Sequence, residues 1–383
     1  MEYRNAARQA QTLPELLQML REAEAAEAEK RVAVEEYLRI KAWRAGLPRY
    51  GKFELTPLCN LDCKMCYIHL QKEQMEGKEL LPVEAWKQLM TQAAQAGMRV
   101  ATLTGGECLT YPGFEELYLH LQELGVEVVV FTNGVLLDER RVRFFQAHPP
   151  RYLQISLYGS SEDAYEKVTG HRMFARVMHH LQLAREAELP VAVAVTPSAF
   201  MEDAEDILRL LTEMGLHYEI SADLFEPYEE TGRNGQRISL SPEEYVRLYT
   251  LQAQLKGRSL QPMEEDCLPI LPKEPDEGKG LLCGGGNCGF VLTYEGIMYP
   301  CSMLKEFGVN PKELGFQTAW QKIHQFVREY PRPAECEDCR MKGVCISCVV
   351  QHAMGAEKGH ANPFLCQRGR IMLKAGVVST KTE

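Results

Sequence analysis

Apolar and polar positions follow two rhythms along this chain. Short apolar runs of strand length occupy 52–56, 100–104, 127–132, 152–157, 191–196 and 218–224. Between them lie segments whose apolar residues recur at helical spacing: 82–95, 114–124, 138–147, 174–188 and 203–214. Strands alternating with amphipathic helices predict a parallel sheet with helices on its outside. Residues 1–48 carry no strand pattern. Leu13, Leu16, Leu17 and Leu20 repeat at helical spacing, and 23–41 is rich in Ala, Glu, Lys and Arg, so this region is expected to be helical. Past residue 225 the pattern weakens. Residues 226–236 read as a loop, 242–255 as a helix, and 262–280 as a Pro- and acid-rich connection to a second domain.

The chain has 383 residues, enough for two or three domains. Its formal net charge is −10, which argues against a nucleic-acid partner, because phosphate binding needs clustered Lys and Arg. The first residues are polar and charged, unlike a signal peptide, and no apolar run approaches the roughly 20 residues of a membrane helix. A cytoplasmic protein is expected, with no membrane partner. Thirteen cysteines in that compartment point to metal rather than disulfides. Three lie at 59–66, eight lie between 283 and 366, and Cys108 and Cys267 stand apart.

The first cluster reads Cys59-Asn60-Leu61-Asp62-Cys63-Lys64-Met65-Cys66-Tyr67 and follows the first strand. Three thiolates hold three irons of a 4Fe–4S cluster and leave the fourth open to a substrate or cofactor. Spacing alone equally permits part of a zinc site. A second motif, Thr104-Gly105-Gly106-Glu107, lies at the end of the second strand. Both motifs, in order and each at a strand end, resemble the signature of radical S-adenosylmethionine (SAM) enzymes. The resemblance implies a partial (β/α)6 barrel in which SAM chelates the open iron and is cleaved to a 5′-deoxyadenosyl radical. It also implies that Gly105, Gly106 and Glu107 hold the methionine amino group. Active sites of such barrels gather at the carboxyl ends of strands.

The late cysteines run Cys283-x4-Cys288-x12-Cys301, then Cys336-x2-Cys339-x5-Cys345-x2-Cys348-x17-Cys366. Eight thiols match two fully ligated 4Fe–4S clusters, or two zinc sites. With Thr293-Tyr294-Glu295-Gly296-Ile297-Met298-Tyr299-Pro300-Cys301 as its hairpin, this region resembles the SPASM extension behind radical SAM barrels. The resemblance assigns Cys283, Cys288, Cys301 and Cys348 to a nearer auxiliary cluster, and Cys336, Cys339, Cys345 and Cys366 to a distal one. The two-residue gap between Cys345 and Cys348 departs from the usual three. The expected organisation is a helical extension over 1–50, the barrel over 51–225, a bridge over 226–280 and a SPASM domain over 281–383.

By the same resemblance, Met65 and Tyr67 flank the adenine, Asn133 and Ser156 contact the cofactor at the third and fourth strand ends, and Arg172 pairs with the methionine carboxylate. Each has a plainer reading: core packing for Met65, turn hydrogen bonds for Asn133 and Ser156, a surface ion pair for Arg172. Cys108 and Cys267 are candidate hydrogen-atom donors or ordinary cysteines. The function expected is modification of a residue in a peptide or protein, as in ribosomal-peptide (RiPP) maturases, by crosslinking, epimerisation or oxidation. A reducing partner such as flavodoxin or ferredoxin goes with it. Alternatives are an anaerobic sulfatase-maturating enzyme, disfavoured because Ser302 stands where an Asp is usual, a small-molecule dehydrogenase, and a non-catalytic metal-binding or electron-transfer protein.

Overall fold

The computed structural model describes residues 3–221, 224, 238–268, 279–343, 345 and 348–377. The strand–helix alternation forms one sheet. Strands β1 (Tyr50–Glu54), β2 (Val100–Thr104), β3 (Glu127–Thr132), β4 (Tyr152–Leu157), β5 (Val191–Val195) and β6 (Tyr218–Ile220) lie side by side in sequence order, all parallel. β2, β3 and β4 have the expected bounds. β1 starts and ends two residues earlier than its apolar pattern, because Leu55 and Thr56 are buried beyond the ladder and Pro57 has no N–H to continue it.

The sheet does not end at β1. The late strand β7 (Gly289–Leu292) pairs parallel with β1, Phe53 opposite Leu292, and β8 (Met298–Tyr299) turns back antiparallel on β7. The predicted hairpin therefore extends the barrel sheet itself. Gly296 makes its turn at φ +84°. Periodicity within one segment carries no information on which distant edge it will join.

Helices cover the outer face: α4 (Val83–Gln95), α5 (Phe114–Glu123), α6 (Glu139–Ala147), α8 (Phe174–Glu186) and α9 (Ala204–Glu213). The sequence pattern missed α7 (Glu162–Thr169), which has few apolar positions. Its local signals are plain in the structure: the Ser161 hydroxyl accepts from the Ala164 N–H at its start, and Gly170 at φ +74° ends it. The main core lies between sheet and helices, where Phe53 meets Trp86 and Phe290 edge to face. Helix α10 (Pro242–Leu255) has the expected bounds and packs on α9 and on α11 (Pro363–Lys374). Residues 225–237 and 269–278, most of the expected bridge outside α10, lie outside the described residues.

Three helices precede the sheet: α1 (Tyr3–Gln9), α2 (Leu13–Glu22) and α3 (Glu27–Ala45). They share a small core of their own around Leu16, Leu20 and Tyr37. Glu35 of α3 pairs with Arg49, Tyr50 and Arg151, and the Trp320 indole donates to Gly46. These contacts lie at the amino ends of β1 and β4, so the extension docks on the end of the barrel opposite the cysteine loop. No described helix is long and apolar enough to cross a membrane.

Candidate iron–sulfur and SAM site

The loop carrying Cys59, Cys63 and Cys66 leaves the carboxyl end of β1. Its own backbone cannot form regular structure over so short a run, so neighbours hold it. Gly106 N–H donates to Thr56 (2.6 Å), Glu107 N–H to Leu58 (2.9 Å) and Leu70 N–H to Pro57 (3.1 Å). From the other side, Asp62 and Lys64 donate to the carbonyls of Thr169 and Val168 at the end of α7. The paired glycines are a steric requirement. A Cβ on Gly105, whose φ is +146°, would stand 2.4 Å from the Thr56 oxygen; one on Gly106 would stand 2.4 Å from that of Leu58. The two sequence motifs are thus one packed unit.

Glu107 is fully buried and links β2 to β3. Its carboxylate accepts from the Leu109 N–H (3.0 Å), the Thr132 hydroxyl (2.9 Å) and the Asn133 N–H (2.7 Å). Burial raises its pKa while these donors oppose the rise. Asn133 donates through Nδ2 to Asn60 (2.7 Å) and to Cys59 Sγ (3.5 Å), so the third strand end grips the first cysteine. Leu61 N–H also points at Cys59 Sγ (3.4 Å), and His69 N–H at Cys66 Sγ (3.3 Å). Burial, with the Glu107 charge nearby, pushes the Cys59 thiol up to about 12. Such a thiol ionises only when a metal takes the place of its proton. One more group faces this loop: the Tyr165 hydroxyl, buried and without a hydrogen bond, coupled electrostatically to Cys63, Cys59 and Glu107. Three thiols, backbone donors aimed at sulfur and an unfilled buried hydroxyl fit an iron–sulfur cluster bound here.

The remaining cofactor candidates separate. Met65 is buried in the main core. Tyr67 turns its hydroxyl to Glu54 Oε1 (3.2 Å). Ser156 lies at the end of β4, half-buried and bonded to Tyr158. The Arg172 guanidinium is engaged at the surface by Asp163 and Glu166. Cys108 is completely enclosed, its thiol donating to the Phe131 carbonyl (3.3 Å), and burial drives its pKa well up. Cys267 is exposed in a short turn, and its neighbour Leu268 packs near Cys339 and Cys345, so it belongs to the far end of the molecule.

The sequence reading missed Glu54. It is the last residue of β1, completely buried, and it joins the two halves of the chain: Oε1 accepts from Tyr67 and from the Ser302 hydroxyl (2.8 Å), and Oε2 faces Lys305 Nζ at 3.8 Å. Burial lowers the Lys305 pKa, and Glu54 opposes that. A charged residue amid the apolar run Phe53-Glu54-Leu55 was the available signal. It places a carboxylate beside Ser302, the residue that had counted against proton-transfer chemistry at this position.

Electrostatic coupling sorts the late thiols. Cys288 couples to Cys283, and Cys301 to Cys283 and Cys348. Cys336 couples to Cys345, Cys339 and Cys366, and Cys366 to Cys345 and Cys339. Six of these eight, all but Cys288 and Cys301, line one cavity of about 340 Å³ together with Arg332, Lys342, His352 and Arg370. Burial first, then the neighbouring thiols, push Cys336 up to about 12. Among the described residues, no group of three or more His, Cys, Asp or Glu is gathered so as to hold a single metal ion. The thiols ring a space instead.

Residues 53–214 match the family model described as the radical SAM superfamily. Over 326 residues the chain is 27% identical to an AdoMet-dependent heme synthase of Methanosarcina barkeri, covering 79% of this chain and 91% of that protein. It is 26% identical over 261 residues to the sporulation killing factor maturation protein SkfB of Bacillus subtilis, covering 67% and 61%. It is 23% identical over 327 residues to the antilisterial bacteriocin subtilosin biosynthesis protein AlbA of the same organism, covering 82% and 70%. Its fold is similar to that of Streptococcus suis SuiB bound to precursor peptide SuiA, with TM-score 0.64 at 15% identity, covering 89% and 81%. It is also similar to anSMEcpe with bound AdoMet and the Kp18Cys peptide, with TM-score 0.61 at 17% identity, covering 83% and 94%. Residues 53–214, where the cysteine loop and the paired glycines lock together, are a radical SAM domain, the part of an enzyme that works with SAM and a 4Fe–4S cluster.

Proposed function

We propose that the chain oxidatively modifies a residue within a peptide, forming a crosslink or an oxidised side chain, and that two auxiliary 4Fe–4S clusters stand behind its barrel. One observation carries the reading: six of the eight late thiols line a single cavity, apart from the three-thiol loop that follows β1. The names of a PqqA peptide cyclase of Ruegeria pomeroyi, 25% identical over 254 residues, and of the maturation protein SkfB support the substrate class. When bound, SAM and the three-cysteine cluster supply the 5′-deoxyadenosyl radical that takes a hydrogen atom from the substrate.

The chain's own residues do the rest. Cys59, Cys63 and Cys66 hold the first cluster. Gly105, Gly106 and Glu107 shape the strand end where the methionine amino group is recognised, with Asn133, Ser156, Met65 and Tyr67 around the nucleoside. Arg172, ion-paired at the surface, drops out of this set. Cys283, Cys288, Cys301 and Cys348 hold the nearer auxiliary cluster, and Cys336, Cys339, Cys345 and Cys366 the distal one. Glu54, fully buried, ties Tyr67 and Ser302 together behind the site. Neither Cys108, sealed in the core, nor Cys267, beside the distal thiols, is assigned as a hydrogen donor, which favours oxidation over redox-neutral epimerisation. A reducing partner of flavodoxin or ferredoxin type delivers the electrons.

A second reading follows from the heme synthase match, which spans more of its partner than the SkfB or AlbA match. Under it, the substrate is a porphyrin. The test is anaerobic reconstitution with iron and sulfide, an iron count, and turnover with two probes: a precursor peptide sought among the neighbouring genes, and a porphyrin precursor of heme. About twelve irons, 5′-deoxyadenosine formed and a mass loss of hydrogen from the peptide support the proposal. About four irons with cleavage of SAM overturn the auxiliary assignment. Turnover of the porphyrin alone transfers the function to the second reading.

A further inference from the structure

Tyr165 is placed in a way that folding alone does not explain. Its ring is fully enclosed and its hydroxyl makes no hydrogen bond. Buried hydroxyls are nearly always partnered, because leaving one unsatisfied costs its full desolvation. A phenylalanine would fill the same space without that cost.

The surroundings identify the missing partner. Helix α7 reaches the cysteine loop through one face: the Val168 and Thr169 carbonyls accept from Lys64 and Asp62, on either side of Cys63. Tyr165 lies three and four positions earlier, on that same face. Its ring packs edge-on against Tyr158, 6.0 Å away between centroids, and the Tyr158 hydroxyl is in turn coupled to Cys63 and Cys66. The unpartnered hydroxyl thus lies where the charges of Cys63, Cys59 and Glu107 act on it. Other groups of this loop and its neighbours already point hydrogens at sulfur: Leu61 N–H and Asn133 Nδ2 at Cys59, and His69 N–H at Cys66.

We propose that Tyr165 is a built-in hydrogen-bond donor to a sulfur of the cluster held by Cys59, Cys63 and Cys66, and that it makes that cluster easier to reduce. Hydrogen bonds to sulfur are among the factors that set iron–sulfur potentials, and a donor stabilises the reduced, more negative state. The inference rests on the radical SAM reading and adds a residue that acts through the cluster.

The test compares Tyr165→Phe with the unaltered full chain, both reconstituted anaerobically. The potential of the three-cysteine cluster is read by EPR-monitored redox titration, using the signal that changes when SAM is added. The expected result is a more negative midpoint in Tyr165→Phe. The apo variant should unfold at the same urea concentration as the apo parent or higher, because the hydroxyl has no bond to lose. A loaded variant with an unchanged midpoint overturns the inference and leaves the enzyme class intact. An apo variant that is destabilised or fails to fold overturns it too, by showing that the hydroxyl serves the fold. If the unaltered chain binds no iron sensitive to Cys59→Ala, the cluster reading itself fails.

Discussion

Replacing Gly106 by Ala tests the close packing of the two strand-end loops directly. The added methyl would meet the backbone oxygens of Leu58 at 2.4 Å and Pro57 at 2.6 Å. Neither atom is the end of a flexible side chain, so one loop must move. Overpacking of this kind costs about 1–3 kcal/mol. Moving the loop also strains or breaks the bonds from Gly106 N–H to Thr56 and from Glu107 N–H to Leu58, each worth about 1 kcal/mol net. The sum, about 2–5 kcal/mol, is a large share of the roughly 5–15 kcal/mol that stabilises an ordinary domain. The assay is urea unfolding of the apo chain, with Gly77→Ala as the control. Gly77, unlike Gly106, has a positive φ, +75°, and nothing within 4 Å, so alanine there costs about 1–2 kcal/mol of backbone strain alone. Gly106→Ala should lower the midpoint by roughly 1–2 M urea at a slope near 2–3 kcal/mol/M. It should also abolish SAM cleavage by shifting the cysteine loop. Equal midpoints for the two variants, with cleavage retained, would refute the packing argument.

Three further outcomes follow. Glu54→Ala removes the fully buried carboxylate that accepts from the Tyr67 and Ser302 hydroxyls and faces the partly exposed Lys305, and should cost about 2–4 kcal/mol in urea unfolding; a loss below about 1 kcal/mol would show the carboxylate to be solvated. His352 is buried, its Nδ1 accepts from the Asn362 N–H (2.9 Å), and burial followed by Arg368 lowers its pKa below 6.5. The unfolded chain therefore takes up a proton that the folded chain refuses, so stability is full above about pH 6.5 and falls as pH drops toward the folded value, by at most about 1.4 kcal/mol per unit. His352→Gln should flatten that part of the apo chain's pH–stability curve, and an unchanged slope would clear His352 of the effect. Cys336→Ser should reduce the iron count from about twelve to about eight while SAM is still cleaved; loss of all iron would show that the sites are not separate.

The sequence by itself determined the local chemistry and the order of elements. Six apolar runs with helices between them fixed a parallel sheet, because strand and helix periods differ and each must bury one face. Cysteine spacing put three thiols on one short loop, where ligands are already neighbours, and together with the paired glycines it carried the resemblance that implied the cofactor. Tertiary structure decided what depended on contacts between distant segments. It attached β7 to the free edge of β1, docked α1 to α3 at the opposite end from the cysteines, and drew Arg172 to the surface carboxylates of α7. It also brought Glu54 to Ser302 and Lys305, 248 residues away in the case of Ser302, and left Tyr165 without a partner beside the cysteine loop. A side chain's role in these places is set by which groups share its low-dielectric surroundings, and that neighbourhood exists only after the chain has folded.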